Sequence, residues 1–296
     1  MRVRLAPIIA LGVLSLVWGY NWVVMKQALR FVDPFTFSAL RSILGALALF
    51  GVIRLRRGSF SLGSFGGVAV LGLMQTTLFV TLSTWALVSG GAGKTAVLVY
   101  TMPLWLLILA WPLLGERLRG LQWVSVLLAF GGLLSILQPW RIQSKAFSIA
   151  LALAGAVCWA ASGIWVKRLR RRVKVDLLAL TAWQLLIGSL PLFPIAWVVT
   201  DEPITWSWYF IGALAYNAIP ATAVAWLLWL YALHELPAGQ AGMGTLLTPV
   251  VGVTAAWLQL GEAPRPLEAA GMALIFAGLA VLIAQRINEG RLTTDN

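Results

Sequence analysis

The sequence predicts an all-α integral membrane protein of ten transmembrane helices, built as two inverted five-helix repeats. Three observations carry this reading: an apolar composition cut into pieces of membrane-spanning length, an uneven placement of Lys and Arg between those pieces, and a constant offset relating the two halves of the chain. Of 296 residues, 60% are hydrophobic and 11% charged, against about 45–50% and about 25% in ordinary soluble domains. A chain with so little polar surface has the bilayer as its solvent. At roughly 20 residues per span, its length accommodates about ten spans.

The apolar pieces fall near 5 to 25, 34 to 53, 65 to 88, 94 to 114, 121 to 138, 147 to 166, 176 to 199, 207 to 233, 239 to 260 and 267 to 284, separated by charged or Pro/Gly-rich breaks. Met1-Arg2-Val3-Arg4 ahead of an apolar run has the outline of a signal peptide. The run is long for one, and everything downstream is equally apolar, so it reads as the first span. The connections are short and leave no room for a soluble domain, which puts any function inside the bundle. The two halves divide as 1–140 and 141–296.

The net charge of +12 in a soluble protein would point to nucleic acid. Here the loops account for it. One face carries fifteen cations: Arg2, Arg4, Arg54, Arg56, Arg57, Arg117, Arg119, Lys167, Arg168, Arg170, Arg171, Arg172, Lys174, Arg286 and Arg291. The other carries six: Lys26, Arg30, Lys94, Arg141, Lys145 and Arg265, with Arg41 left inside a helix. An excess of Lys and Arg marks the cytoplasmic side, so both termini are expected in the cytoplasm of a cell (inner) membrane, and no nucleic-acid partner is expected.

A single Cys (Cys158) and a single His (His234) exclude a disulfide framework and a clustered Cys/His metal site. No cofactor or metal is expected. All ten carboxylates lie in loops or at helix ends, so no acid is available in mid-membrane as a proton relay or as counter-charge for a lipophilic cation. A membrane-embedded transferase would need acids, histidines or a metal near one face, which argues against an enzyme. Ser89-Gly90-Gly91-Ala92-Gly93-Lys94-Thr95 superficially resembles a phosphate loop. The first required Gly position is Val88, and a helix rather than a strand precedes it, so it reads as a glycine-rich turn.

Self-similarity relates the halves. Thr101-Met102-Pro103 precedes Gly115-Glu116 by the same interval as Leu247-Thr248-Pro249 precedes Gly261-Glu262, an offset of 146 residues. That offset also carries Trp85-Ala86-Leu87 onto Tyr231-Ala232-Leu233 and Gly132 onto Gly278. Slightly smaller offsets pair Trp18 and Lys26 with Trp159 and Lys167, and Arg41, Gly45 and Phe50 with Gln184, Gly188 and Phe193. Five helices per half is an odd number, so the second copy enters the membrane inverted, as in many secondary transporters. Pro103, Pro112 and Pro249 are expected as paired kinks beside a central pathway.

Val17-Trp18-Gly19-Tyr20-Asn21-Trp22, Arg41, Tyr100-Thr101-Met102-Pro103 with Gly115-Glu116, and the Pro249 to Gly261-Glu262 echo together resemble the drug/metabolite transporter superfamily, and within it the paired EamA-type domains. The resemblance covers nearly the whole chain. It implies ten helices, a pathway between the repeats, and export of small metabolites, with aromatic amino acid exporters as the nearest description.

Intramembrane ionisable residues are functional candidates because each is costly in hydrocarbon. Arg41 lies seven residues after Pro34, about 10 Å along its helix, and Lys94 stands at the start of the fourth span. Both are expected as anchors for a substrate carboxylate, the alternative being structural cations that hydrogen-bond helix ends or the facing repeat. Trp18, Asn21, Trp22 and Met25 share one helix face by three- and four-residue spacing, as do Lys94, Leu98, Thr101 and Trp105. With Tyr100, Trp159 and Tyr231 these form the expected substrate-binding set, an aromatic wall with a few polar groups. Trp140, Trp197, Trp206 and Trp208 fit the interfacial belt instead. The expected function is secondary export of small neutral or zwitterionic metabolites, amino acids among them, by alternating access. A drug or nucleotide-sugar exporter is the alternative, with a lipid flippase behind it. The partners expected are the substrate and the lipid bilayer; the oligomeric state stays open, with a monomer sufficient.

Overall fold

The computed structural model describes residues 5–90, 98–138, 140, 146–200, 203–261 and 263–292. Every regular element among them is helical. Eight helices are long and apolar enough to cross a membrane: Ala6–Ala28, Pro34–Leu55, Phe65–Ala86, Ala146–Arg172, Leu177–Val199, Trp208–Glu235, Ala238–Gln259 and Pro266–Gln285. Met102–Leu114 and Gln122–Leu137 are shorter apolar helices. By local geometry we number α1 (Ala6–Ala28), α2 (Pro34–Leu55), α3 (Phe65–Gly72), α4 (Phe79–Gly90), α5 (Met102–Leu114), α6 (Gln122–Leu137), α7 (Ala146–Arg172), α8 (Leu177–Ser189), α9 (Leu192–Val199), α10 (Trp208–Ala218), α11 (Ala225–Glu235), α12 (Ala238–Gly244), α13 (Leu247–Leu260) and α14 (Pro266–Leu292).

The helix boundaries follow from capping chemistry, and the caps recur between the halves. Asp33 Oδ1 accepts from the backbone N of Phe35 and Thr36 (both 2.9 Å) at the start of α2. Asp176 Oδ1 does the same for Leu178 and Ala179 at the start of α8. Ser64 and Ser207 cap α3 and α10 through Gly67 N and Phe210 N. Each cap satisfies donors that a helix start leaves without intrahelical partners. At the opposite ends, Gly115 (φ 73°) and Gly261 (φ 71°) close α5 and α13 in the left-handed conformation, which glycine adopts without a Cβ clash. Single π-helical turns at Leu73–Leu78, between α3 and α4, and Ile219–Val224, between α10 and α11, stand 146 residues apart. Such turns interrupt α-helices and are frequent at functional sites.

The prolines behave differently from the expectation. Pro103 is the second residue of α5 and Pro249 the third of α13. A helix start has no intrahelical acceptor for these N–H groups, so a missing donor costs nothing there. The chain breaks before each proline, at the turn residues Tyr100–Thr101 and Thr245–Leu246, so these prolines open helices rather than kink them. Of the three, Pro112 alone lies inside a helix.

Close approaches are made by small residues, as expected where lipid supplies no hydrophobic drive between helices. A Cβ on Gly132 would lie 2.5 Å from Gly271 O, and one on Gly271 2.6 Å from Gly132 O. Beside them, Ser125 Oγ donates to Gly278 O (2.5 Å). These contacts lock α6 against α14. Gly132→Leu is therefore expected to cost about 1–3 kcal/mol by overpacking, read as a lower unfolding midpoint in detergent, whereas Gly131→Leu, with open space around its Cβ position, leaves the midpoint unchanged.

Candidate functional site

A cavity of about 120 Å³ lies among α1, α2, α4, the Val99–Tyr100 turn, α7 and the second π turn, lined by residues from both halves. A single water needs ~10–15 Å³, so this cavity admits a small solute. Six of the expected residues line it: Trp18, Asn21, Trp22, Arg41, Tyr100 and Trp159. The helix-face argument holds for α1, where Trp18, Asn21, Trp22 and Met25 all reach the cavity.

Three expected residues lie off it. Thr101 Oγ1 donates to Leu98 O (2.6 Å), and Trp105 Nε1 donates to Thr101 Oγ1 (3.2 Å), while the Trp105 ring packs on the main buried core. The helix break before Pro103 decouples this face from Val99 and Tyr100, which do line the cavity. Tyr231 stands five residues after the cavity residue Trp226, roughly 140° around the same helix, and so points elsewhere. Lys94 lies outside the described residues. Sequence reasoning missed Phe79, Val80, Ser83 and Thr84 on one face of α4, together with Ala221 and Trp226. The available signal for the α4 residues was their spacing on one face of an apolar helix, 79, 80, 83 and 84.

Aromatic rings form one wall. Trp18 meets Trp159 (5.4 Å) and Trp226 (5.3 Å) edge to face, Trp159 meets Trp226 (5.9 Å), and Phe79 stands 5.0 Å from Trp159. Edge-to-face pairs such as these add stability beyond area burial. Trp18 is anchored by donating from Nε1 to Ala221 O (2.9 Å), and Trp22 by donating to Tyr100 Oη (3.2 Å). Asn21 Nδ2 donates to Met25 Sδ (3.1 Å), leaving Asn21 Oδ1 buried without a partner.

Among the described lining residues the charge is Arg41 and none is Asp or Glu, and the buried Arg41 Nε has no acceptor. Its sequence counterpart in the second half, Gln184, is fully buried and accepts from Thr76 Oγ1 (3.0 Å), a structural bond between two packed helices. The halves thus use equivalent positions differently: one closes a helix contact, the other leaves a cation facing a cavity. A guanidinium is a donor-only group suited to bidentate contact with a carboxylate. A bound cation would be desolvated here beside a like charge.

A second polar cluster joins the halves at the helix ends. Lys167 Nζ in α7 donates to Glu116 Oε1 (2.8 Å) and to Leu236 O (2.7 Å), while Glu116 Oε2 accepts from Ala238 N (2.5 Å). Arg168 adds two bonds to Leu113 O.

Comparison with known proteins places this arrangement. The sequence profile of the EamA-like transporter family matches twice, over residues 5–138 and 146–284. The chain belongs to the EamA-like transporter family. Similar proteins include the "Uncharacterized transporter YoaV" of Bacillus subtilis (strain 168), 27% identical over 86% of this chain and 89% of its own length. Another, from Escherichia coli (strain K12), is named "Probable amino-acid metabolite efflux pump" and is 28% identical over 91% of this chain and 93% of its own. A solved crystal structure superimposes with a TM-score of 0.82 at 20% identity, covering 97% of this chain and 99% of that one, which shows a shared fold. As an EamA-like transporter this is a multi-pass membrane protein whose activity is transport rather than catalysis.

Proposed function

We propose that this EamA-like transporter exports amino acids, large neutral and aromatic ones included, by alternating access through the cavity between its two halves. The observation that carries the reading is an arginine without an acceptor at Nε in an aromatic cavity whose described lining residues include no carboxylate. The zwitterion's carboxylate meets Arg41, its ammonium meets Asn21 Oδ1, the Ser83 hydroxyl and the indole faces, and its side chain lies against Trp18, Trp159 and Trp226. The efflux-pump name borne by the Escherichia coli relative supports the same substrate class. Ten spans in two inverted repeats, with the halves divided near residue 140 and both termini in the cytoplasm of the inner membrane, complete the reading. The matched caps, π turns and left-handed glycines support it, together with the fifteen-to-six charge asymmetry.

Purified protein in liposomes loaded with tryptophan, phenylalanine or threonine is expected to exchange external radiolabel for internal amino acid. Ethidium is expected neither to exchange nor to compete. Ethidium transport without amino acid exchange would overturn the proposal in favour of a drug exporter.

A further inference from the structure

The corresponding tryptophans of the two halves are satisfied differently. Trp18 and Trp159 both line the cavity. Trp18 Nε1 donates to Ala221 O, a carbonyl of the second π turn (2.9 Å). The residue that corresponds to Ala221 in the first half is Gln75, within the first π turn, so the matching bond from Trp159 would end on Gln75 O. That bond is not made. Trp159 is 3% exposed, and its Nε1 is closed to water without an acceptor. Buried donors are nearly always paired, so each orphan calls for a partner. Trp229 Nε1 is unpaired too, but of the two only Trp159 lines the cavity, where an entering group can supply the acceptor.

We propose that the Trp159 indole N–H is a second donor to the substrate carboxylate, beside the Arg41 guanidinium, and that it makes the site select ligands carrying an acceptor headgroup. The inference deepens the amino-acid reading above and rests on it. Indole N–H and guanidinium are both donor-only groups, while a carboxylate has two oxygens and about four lone-pair sites and accepts from both at once. A bare ammonium has no acceptor to offer and leaves the indole N–H orphaned. The pairing also gives the substrate a direction: its carboxylate lies between α2 and α7, one from each half, so the headgroup bridges the elements that move against each other in alternating access.

The test replaces the N–H alone. β-(3-Benzothienyl)alanine placed only at position 159 puts sulfur where the N–H stands within the same bicyclic shape, and Trp159→Phe is the genetically encoded companion. Tryptophan binding to the detergent-purified protein is measured together with the unfolding midpoint of the ligand-free protein. The expected result for the benzothienyl variant is a Kd for tryptophan raised about tenfold, the range of a hydrogen bond to a charged group, with the ligand-free midpoint unchanged or higher. An unchanged Kd overturns the proposal. So does a lowered ligand-free midpoint, which would mean that the N–H serves the fold, for instance by docking on Gln75 O. If Arg41→Gln leaves tryptophan binding intact, the guanidinium is not the carboxylate's partner, whatever position 159 does; if the parent protein binds no tryptophan, the amino-acid reading itself fails.

Discussion

Arg41→Gln is expected to reduce amino acid exchange by one to two orders of magnitude while expression and the unfolding midpoint stay near those of the parent protein. The expectation follows from where the guanidinium stands. It lines the cavity, and the acceptor its Nε lacks is what a substrate carboxylate supplies. A hydrogen bond to a charged group contributes roughly 1.5–3 kcal/mol, about 10- to 150-fold in affinity. Removing the side chain's charge also relieves an unfavourable burial, so the fold is not expected to suffer. Arg41→Lys is expected to fall between, because a lysine keeps the charge and loses the planar fork. Both variants are read by counterflow of labelled tryptophan alongside tryptophan binding. Parental exchange and parental Kd in Arg41→Gln would show that the cation is structural and that the substrate need carry no carboxylate.

The second large effect is expected at the Glu116–Lys167 cluster. This pair is not an isolated surface salt bridge: its side chains are 22% and 14% exposed, and each member also holds a backbone group of the turn before and into α12. Lys167→Met removes the cation from Glu116 and the donor from Leu236 O together. Breaking one member of a buried pair costs about 3–5 kcal/mol, and the partial exposure here lowers that to roughly 1–3 kcal/mol. Because the four groups come from both halves, the loss is expected to loosen their mutual contact. Exchange should fall at least tenfold, and a cysteine introduced at Leu236 in a Cys158→Ala background should react faster with a maleimide reagent.

The charge swap is the sharper arm. In a Glu116→Lys, Lys167→Glu double variant the opposite charges still meet, but an ammonium now faces Ala238 N and a carboxylate faces Leu236 O, donor against donor and acceptor against acceptor. The double variant is therefore expected to stay impaired. Full recovery of exchange in it would reduce the cluster to a simple charge pair and defeat the account.

Much of the architecture was readable along the chain. Composition selected the bilayer, charge and Pro/Gly breaks located most helix starts to within a few residues, and the 146-residue echo anticipated the paired glycine caps at Gly115 and Gly261. The ends were less legible: α7 and α14 run on past the expected ends at 166 and 284 to Arg172 and Leu292, and turns interrupt the spans expected at 94 to 114 and 239 to 260. The candidate site was half readable. The α1 face is continuous, so three- and four-residue spacing found Trp18, Asn21, Trp22 and Met25. The same spacing does bring Leu98, Thr101 and Trp105 together, but off the cavity: the chain breaks between Tyr100 and Met102, and spacing along one helix does not tell which way it faces after the axis changes. Pro103 and Pro249, read as kinks, proved to be helix starts for a related reason: a proline tells where an N–H is missing, and only the neighbouring turn tells which side of it is helical.

The sequence by itself determined that this is a helical membrane protein of repeated halves, with one cation inside and no acid there. These properties depend on transfer energies and local backbone bonding, which each segment decides for itself in lipid. The tertiary structure alone decided which side chains share a cavity. Apolar faces are equally content against lipid or against another helix, so helix rotation is set by close contacts such as Gly132 on Gly271 and by bonds such as Trp18 to Ala221 rather than by hydrophobicity. Those contacts left Arg41 Nε and the Trp159 indole without acceptors on residues lining a cavity while burying Gln184 and laying the half-buried Trp105 against the core, a distinction that residue type and spacing do not carry.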